Sequence, residues 1–216
     1  MTYGEPVAHP QCIIDLFDPR LRYDGWSART HQNVVLRVKE EEQTKLLKAP
    51  TDTSLEALAR HEQRWLARLH DLPGVPKLSR AYTITPHAFG DDIFSTATLR
   101  EYIEGEEFHA RRRTEETYGA LIELGHRMYG AGLLLPDDFD GRQIIVDAMD
   151  QPHLIDLEET REVHDESMRG LISEKIAFLR RMNVRHDHER TFAQSAYGTI
   201  RRNAKPLAQF ISRFYI

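Results

Sequence analysis

Pro136-Asp137-Asp138-Phe139-Asp140-Gly141-Arg142-Gln143-Ile144-Ile145-Val146-Asp147 is the stretch on which the reading of the fold turns. Three carboxylates crowd a polar turn, and Gln143 leads into the apolar, β-branched run Ile144–Val146, which reads as a short strand. The polar turn Asp147–Gln151 separates it from a second short strand, His153–Leu157, in which Leu154-Ile155 lead into Asp156. A loop carboxylate before such a hairpin and a second one after it can face the same cleft.

Upstream, Thr114-Glu115-Glu116-Thr117 opens a helix whose apolar positions are Leu121, Ile122, Leu124 and Met128, ending at Gly130 or Gly132. Further back the chain reads as strands around one helix. Cys12–Phe17 is an apolar run closed by Asp18-Pro19, Asp24-Gly25 marks a turn before Trp26–Thr30, and Val34–Lys39 is the strongest strand signal in the chain. Leu58, Trp65, Leu66 and Leu69 recur at helical spacing after Ser54, and Asp71-Leu72-Pro73-Gly74 ends that helix. Ser79–Thr85 and Ile93–Leu99 read as strands. Downstream, residues 165–182 form an amphipathic pattern through Met168, Leu171, Ile172, Ile176 and Leu179, and at least one more helix is expected between Thr191 and Phe214. Strands first and helices afterwards imply an α+β fold in two lobes.

The 216 residues suit one domain, without repeat, low-complexity tract or Gly/Ser linker to divide it. No apolar run approaches the roughly 20 residues of a bilayer span, and Met1–Pro10 lacks the basic-then-apolar order of a secretory signal. Cys12 is the only cysteine, which excludes an intrachain disulfide or a cysteine-based zinc cluster and suits a reducing, cytoplasmic compartment. The net charge is −5, yet residues 178–216 carry eight Lys/Arg against Asp187 and Glu189. That basic end could meet an anionic partner, but solvated helix faces, some pairing with the acidic body, are the preferred account, and nucleic acid is not the expected ligand. His186-Asp187-His188 lacks helical His spacing and reads as a surface turn rather than a metal site.

The segment 136–158 resembles the catalytic loop and metal-binding Asp of the protein-kinase-like superfamily. The resemblance puts Asp138 on the catalytic Asp, Gln143 on the metal-binding Asn, and Asp156-Leu157-Glu158 on the D-F-G position. Upstream elements agree in order. Glu62 matches the helix Glu that pairs with a strand lysine, and Arg100-Glu101-Tyr102-Ile103-Glu104-Gly105 matches the hinge, where Glu101 and Ile103 would meet the adenine edge. Arg37 takes the lysine's place in Val35-Leu36-Arg37-Val38, and Lys39, two residues on and on the same face, is the alternative. The resemblance covers about residues 23–159 and is nearest to small RIO-like and lipopolysaccharide-kinase-like members.

It implies a bilobal fold: a strand-rich N-lobe with one helix over about residues 1–104, and a short helical C-lobe over about 105–216. It further implies ATP and Mg²⁺ as cofactors, with a protein, small molecule or lipid-linked sugar as phosphate acceptor. Several positions depart from the pattern. Pro136 stands for the usual His, Asp140 for a Lys that steadies phosphate, and Glu158 for the glycine after the metal Asp. Only Gly25 remains where a glycine-rich loop would cover the phosphates. Two expectations therefore stand side by side: a minimal atypical kinase, and a pseudokinase that keeps the fold as a protein-binding module.

Overall fold

The computed structural model describes residues 7–134, 141, 143–158, 160–163, 172, 174–177 and 179–181. The protein is a mixed α+β structure built on a five-stranded antiparallel sheet, with β1 Arg22–Arg29, β2 Asn33–Glu40, β3 Gln43–Pro50, β4 Leu78–Phe89 and β5 Asp92–Glu101 in the order β1-β2-β3-β5-β4. Val34, Leu36, Val38, Leu47, Ala97 and Leu99 are buried from this sheet, and α1 (Pro10–Phe17) adds Ile13, Ile14 and Phe17 to the same cluster. No helix among the described residues is long and apolar enough to cross a membrane.

The α1 segment corrects the strand expected over Cys12–Phe17. Pro10 stands in the first turn, where its missing N–H costs nothing. Ile13, Ile14 and Phe17 then fall on one helical face, which packs on β1 and β4. Phe17 meets Phe94 edge-on with ring centres 6.4 Å apart. Asp24-Gly25 is likewise not a turn before a strand. It is a bulge inside β1, where the register with β2 shifts between Tyr23 and Ser27 and Gly25 takes φ 73°. The strand β3 was not expected at all. It returns from β2 through a two-residue turn in which Glu41 adopts φ 53°.

At the end of α1 the buried Asp18 carboxylate accepts from Arg20 Nε and Nη2 at 2.9 and 2.8 Å, Arg80 Nη1 at 2.7 Å and the Tyr82 hydroxyl at 3.1 Å. Its hydrogen bonds to Arg20, opposed by burial, hold its carboxyl far below the usual range. A carboxylate depressed in the folded state stabilises above its unfolded pKa of about 3.9 and loses that contribution as pH falls further. Asp18→Asn should therefore melt below wild type at pH 5–7, with the gap narrowing as pH drops from about 4 to 2.5 in a series of thermal melts.

The second hydrophobic cluster gathers α2 (Glu56–Arg68), α3 (Glu115–Gly130) and the short strands β6 (Glu106–Glu107), β7 (Leu133–Leu134), β8 (Ile144–Val146), β9 (Pro152–Leu154) and β10 (Arg161–Glu162). Trp65, Leu66, Leu69, Leu121, Met128, Ile144 and Leu154 are among its buried members. Thr114 caps α3 as expected, its Oγ1 accepting from the Thr117 N–H at 3.2 Å. The hairpin over 144–154 is present, with β9 ending at Leu154 rather than Leu157. Described residues between 172 and 181 are helical, and Ile172, Ile176 and Leu179 are buried in this cluster. Met168, Leu171 and the helix expected between Thr191 and Phe214 lie outside the described residues.

Candidate functional site

Two clusters meet at a knot of buried charge. Lys48, on β3, is 6% exposed, and its ammonium stands 3.4 Å from Glu62 Oε2, 3.2 Å from Asp156 Oδ1 and 3.1 Å from Glu158 Oε1. Glu62 comes from the buried face of α2 and gives its other oxygen to Arg100 Nη1, on β5, at 2.6 Å. Asp156 and Glu158 come from the segment after β9, where the Glu158 N–H donates to Asp156 Oδ1 at 3.2 Å and turns the chain. Asn33, at the start of β2, donates from Nδ2 to Glu158 Oε2 at 3.3 Å. Five ionisable side chains separated by up to 110 positions in sequence thus share one site.

The electrostatics follow from this geometry. Burial alone would lower the Lys48 pKa, but Asp156, Glu62 and Glu158 outweigh it and raise the lysine well above its ordinary value. Asp156 is driven up by desolvation and further down by Lys48 and Arg100, so it stays ionised below the usual carboxylate range. Its side chain is 41% exposed, which makes it the member that opens to solvent. Glu158 goes the other way. Burial, with Glu62 and Asp156 adding to it, pushes its carboxyl up despite Lys48.

Of the residues singled out from sequence, Glu62 and Asp156 are brought together, through Lys48. Arg37 and Lys39 are not part of that group. Arg37 binds the Asp24 carboxylate at 3.0 Å and its carbonyl at 2.7 Å, and stacks 5.7 Å from the Tyr102 ring centre. Lys39 donates to Thr44 Oγ1 at 2.8 Å. Both lie on β2, one strand from Lys48, which pairs with Val35. Glu101 closes β5 and binds Lys77 through N–H and carboxylate, whereas Ile103, just beyond, makes no backbone hydrogen bond. Gln143 is tied to the site by its carbonyl, which accepts from Ile155 N–H at 2.7 Å, and its side-chain Oε1 is buried without a partner. Asp138 lies outside the described residues.

Lys48, Arg100, Asn33 and Glu158 are the members that sequence reasoning did not assign to the site. A signal for Lys48 was there: it is a single charge in Leu46-Leu47-Lys48-Ala49, a run short enough to be the return strand of a hairpin from β2. Among the described residues no group of His, Cys, Asp and Glu is arranged to hold a metal by itself. Any cation here would combine carboxylate with carboxamide oxygen, as Asp156 and the unpartnered Gln143 Oε1 offer. No protein-family model matches the chain, and neither does any curated protein. The functional reading therefore rests on the site.

Proposed function

We propose that the chain is a minimal atypical kinase with a protein-kinase-like bilobal fold, which transfers phosphate from Mg–ATP to a hydroxyl acceptor. The observation that carries this reading is the Lys48–Glu62 pair joined at 3.2 Å to Asp156. A strand lysine oriented by a helix glutamate, beside an aspartate that follows a hairpin, is the arrangement that class uses to hold a triphosphate and its metal. The five-stranded sheet with α1 and α2 is then the N-lobe, and α3 with the short strands β6–β10 the C-lobe, against which α2 packs Trp65 and Leu66.

In this reading Lys48 contacts the α- and β-phosphates and Glu62 keeps it aimed. Arg100 in turn fixes Glu62 from the opposite side. Asp156 and Gln143 would hold Mg²⁺, a hard cation suited to one carboxylate and one carbonyl oxygen, which neutralises triphosphate charge when bound. The uncommitted backbone of Ile103 would take the adenine edge. Asp138, on the resemblance, would orient the acceptor hydroxyl. The acceptor is a protein, a small molecule or a lipid-linked sugar.

One observation favours the second reading, a pseudokinase serving as a protein-binding module. Glu158 sits on Lys48, and the β1–β2 turn over Thr30–Asn33 carries no glycine to bring backbone N–H groups onto phosphate. A thermal-shift series separates the two. Mg–ATP at a hundredfold over its dissociation constant should stabilise by about 2.7 kcal/mol, with the shift lost without Mg²⁺ and in Asp156→Ala. No shift at millimolar Mg–ATP would remove the kinase reading and leave the pseudokinase.

A further inference from the structure

The Lys48 ammonium carries three protons, and three carboxylate oxygens stand within 3.4 Å of it. The Asp156 contact is the hydrogen bond and the other two are close ion pairs, so a phosphate oxygen drawn to the ammonium would come up against carboxylate oxygens already around it. Glu62 cannot leave cheaply, because its side chain is 1% exposed and its second oxygen is fixed by Arg100 at 2.6 Å. Asp156 is partly open, but its Oδ1 also holds the turn through the Glu158 N–H. Glu158 is held least. Among the described residues its side-chain partner apart from Lys48 is Asn33 Nδ2, at the long distance of 3.3 Å. Three carboxylates also face only two cations, Lys48 and Arg100, so the buried cluster carries one negative charge in excess.

We propose that Glu158 is a built-in competitor for the nucleotide: its carboxylate occupies Lys48 where the triphosphate would bind and must be displaced for nucleotide to load. This inference rests on the nucleotide-binding reading above. Its physical basis is like-charge repulsion: a triphosphate brought to Lys48 would stand against the Glu158 carboxylate 3.1 Å from the same ammonium. Asn33, at the start of β2, is the side chain that steadies Glu158 in this position.

The test is an isothermal titration of the full chain with Mg–ATP, comparing wild type, Glu158→Gln and Asn33→Ala. Glu158→Gln should bind about tenfold tighter, through loss of the like charge. Asn33→Ala keeps every charge and only loosens the hold on Glu158, so a smaller gain is expected; it carries the test if Glu158→Gln does not fold. Wild-type affinity, or weaker, in folded variants while wild type binds would overturn the competitor and leave the nucleotide reading standing. Failure of all three proteins to bind millimolar Mg–ATP would overturn that reading and the competitor with it.

Discussion

Lys48→Met is expected to lower the free energy of unfolding by about 3–5 kcal/mol, as removal of one partner from a buried ion network does, and to abolish any Mg–ATP stabilisation. The substitution keeps most of the side chain's volume and removes only its charge. Glu62 and Glu158, 1% and 8% exposed, then face each other with Arg100 as the sole cation, and Arg100 reaches only Glu62. Urea denaturation measures the loss directly, and the nucleotide effect is read from melts with and without ligand. Arg37→Ala is the matched control. Its pair with Asp24 is about one-third exposed on each side, so a loss under about 1 kcal/mol is expected, with nucleotide response retained. A Lys48→Met protein as stable as this control would mean that the charge knot contributes nothing to the fold.

Gly105→Ala should cost about 3 kcal/mol, at the upper end of what overpacking a tight contact costs. The glycine is there for space. A β-carbon at 105 would overlap the Val146 carbonyl oxygen and come 2.7 Å from Ile145 Cγ2. Neither neighbour can retreat, because Glu106 pairs with Val146 and Glu107 with Ile145 in the β6–β8 ladder. The methyl must therefore push apart the connection that runs from the five-stranded sheet into the second cluster. A change below about 0.5 kcal/mol, measured by chemical denaturation, would show that this approach is looser than the geometry requires.

Much of the architecture was legible because it rests on strong periodic signals. Val34–Lys39, the helix through Trp65 and Leu66, the Thr114 cap and the 144–154 hairpin all stand where their patterns put them. The errors share a physical cause. Cys12–Phe17 is a short apolar run, which as a buried strand or a helix face looks the same in sequence, and only the sheet beneath it decides. Reading it as a strand made Val34–Lys39 the third strand in the count instead of the second. The true third strand was hidden because a lysine buried among three carboxylates from two other segments breaks an apolar pattern as a surface lysine would. Glu62 and Asp156 were legible because the order of their segments resembles the kinase pattern. Glu158 was seen only as a missing glycine, since its partners Lys48 and Asn33 are more than a hundred residues away.

The grip of Arg100 on Glu62 has a consequence for motion. A regulatory helix that rocks outward ordinarily needs to give up one ion pair. Here α2 is bolted to two strands through a single carboxylate, the stronger bolt being the 2.6 Å contact to β5. Rocking α2 away would leave Arg100 without its carboxylate in the interior, a cost of several kcal/mol, while Lys48 would keep Asp156 and Glu158. Arg100 thus fixes α2 against the sheet, and adaptability around Lys48 is left to the segment that carries Asp156 and Glu158.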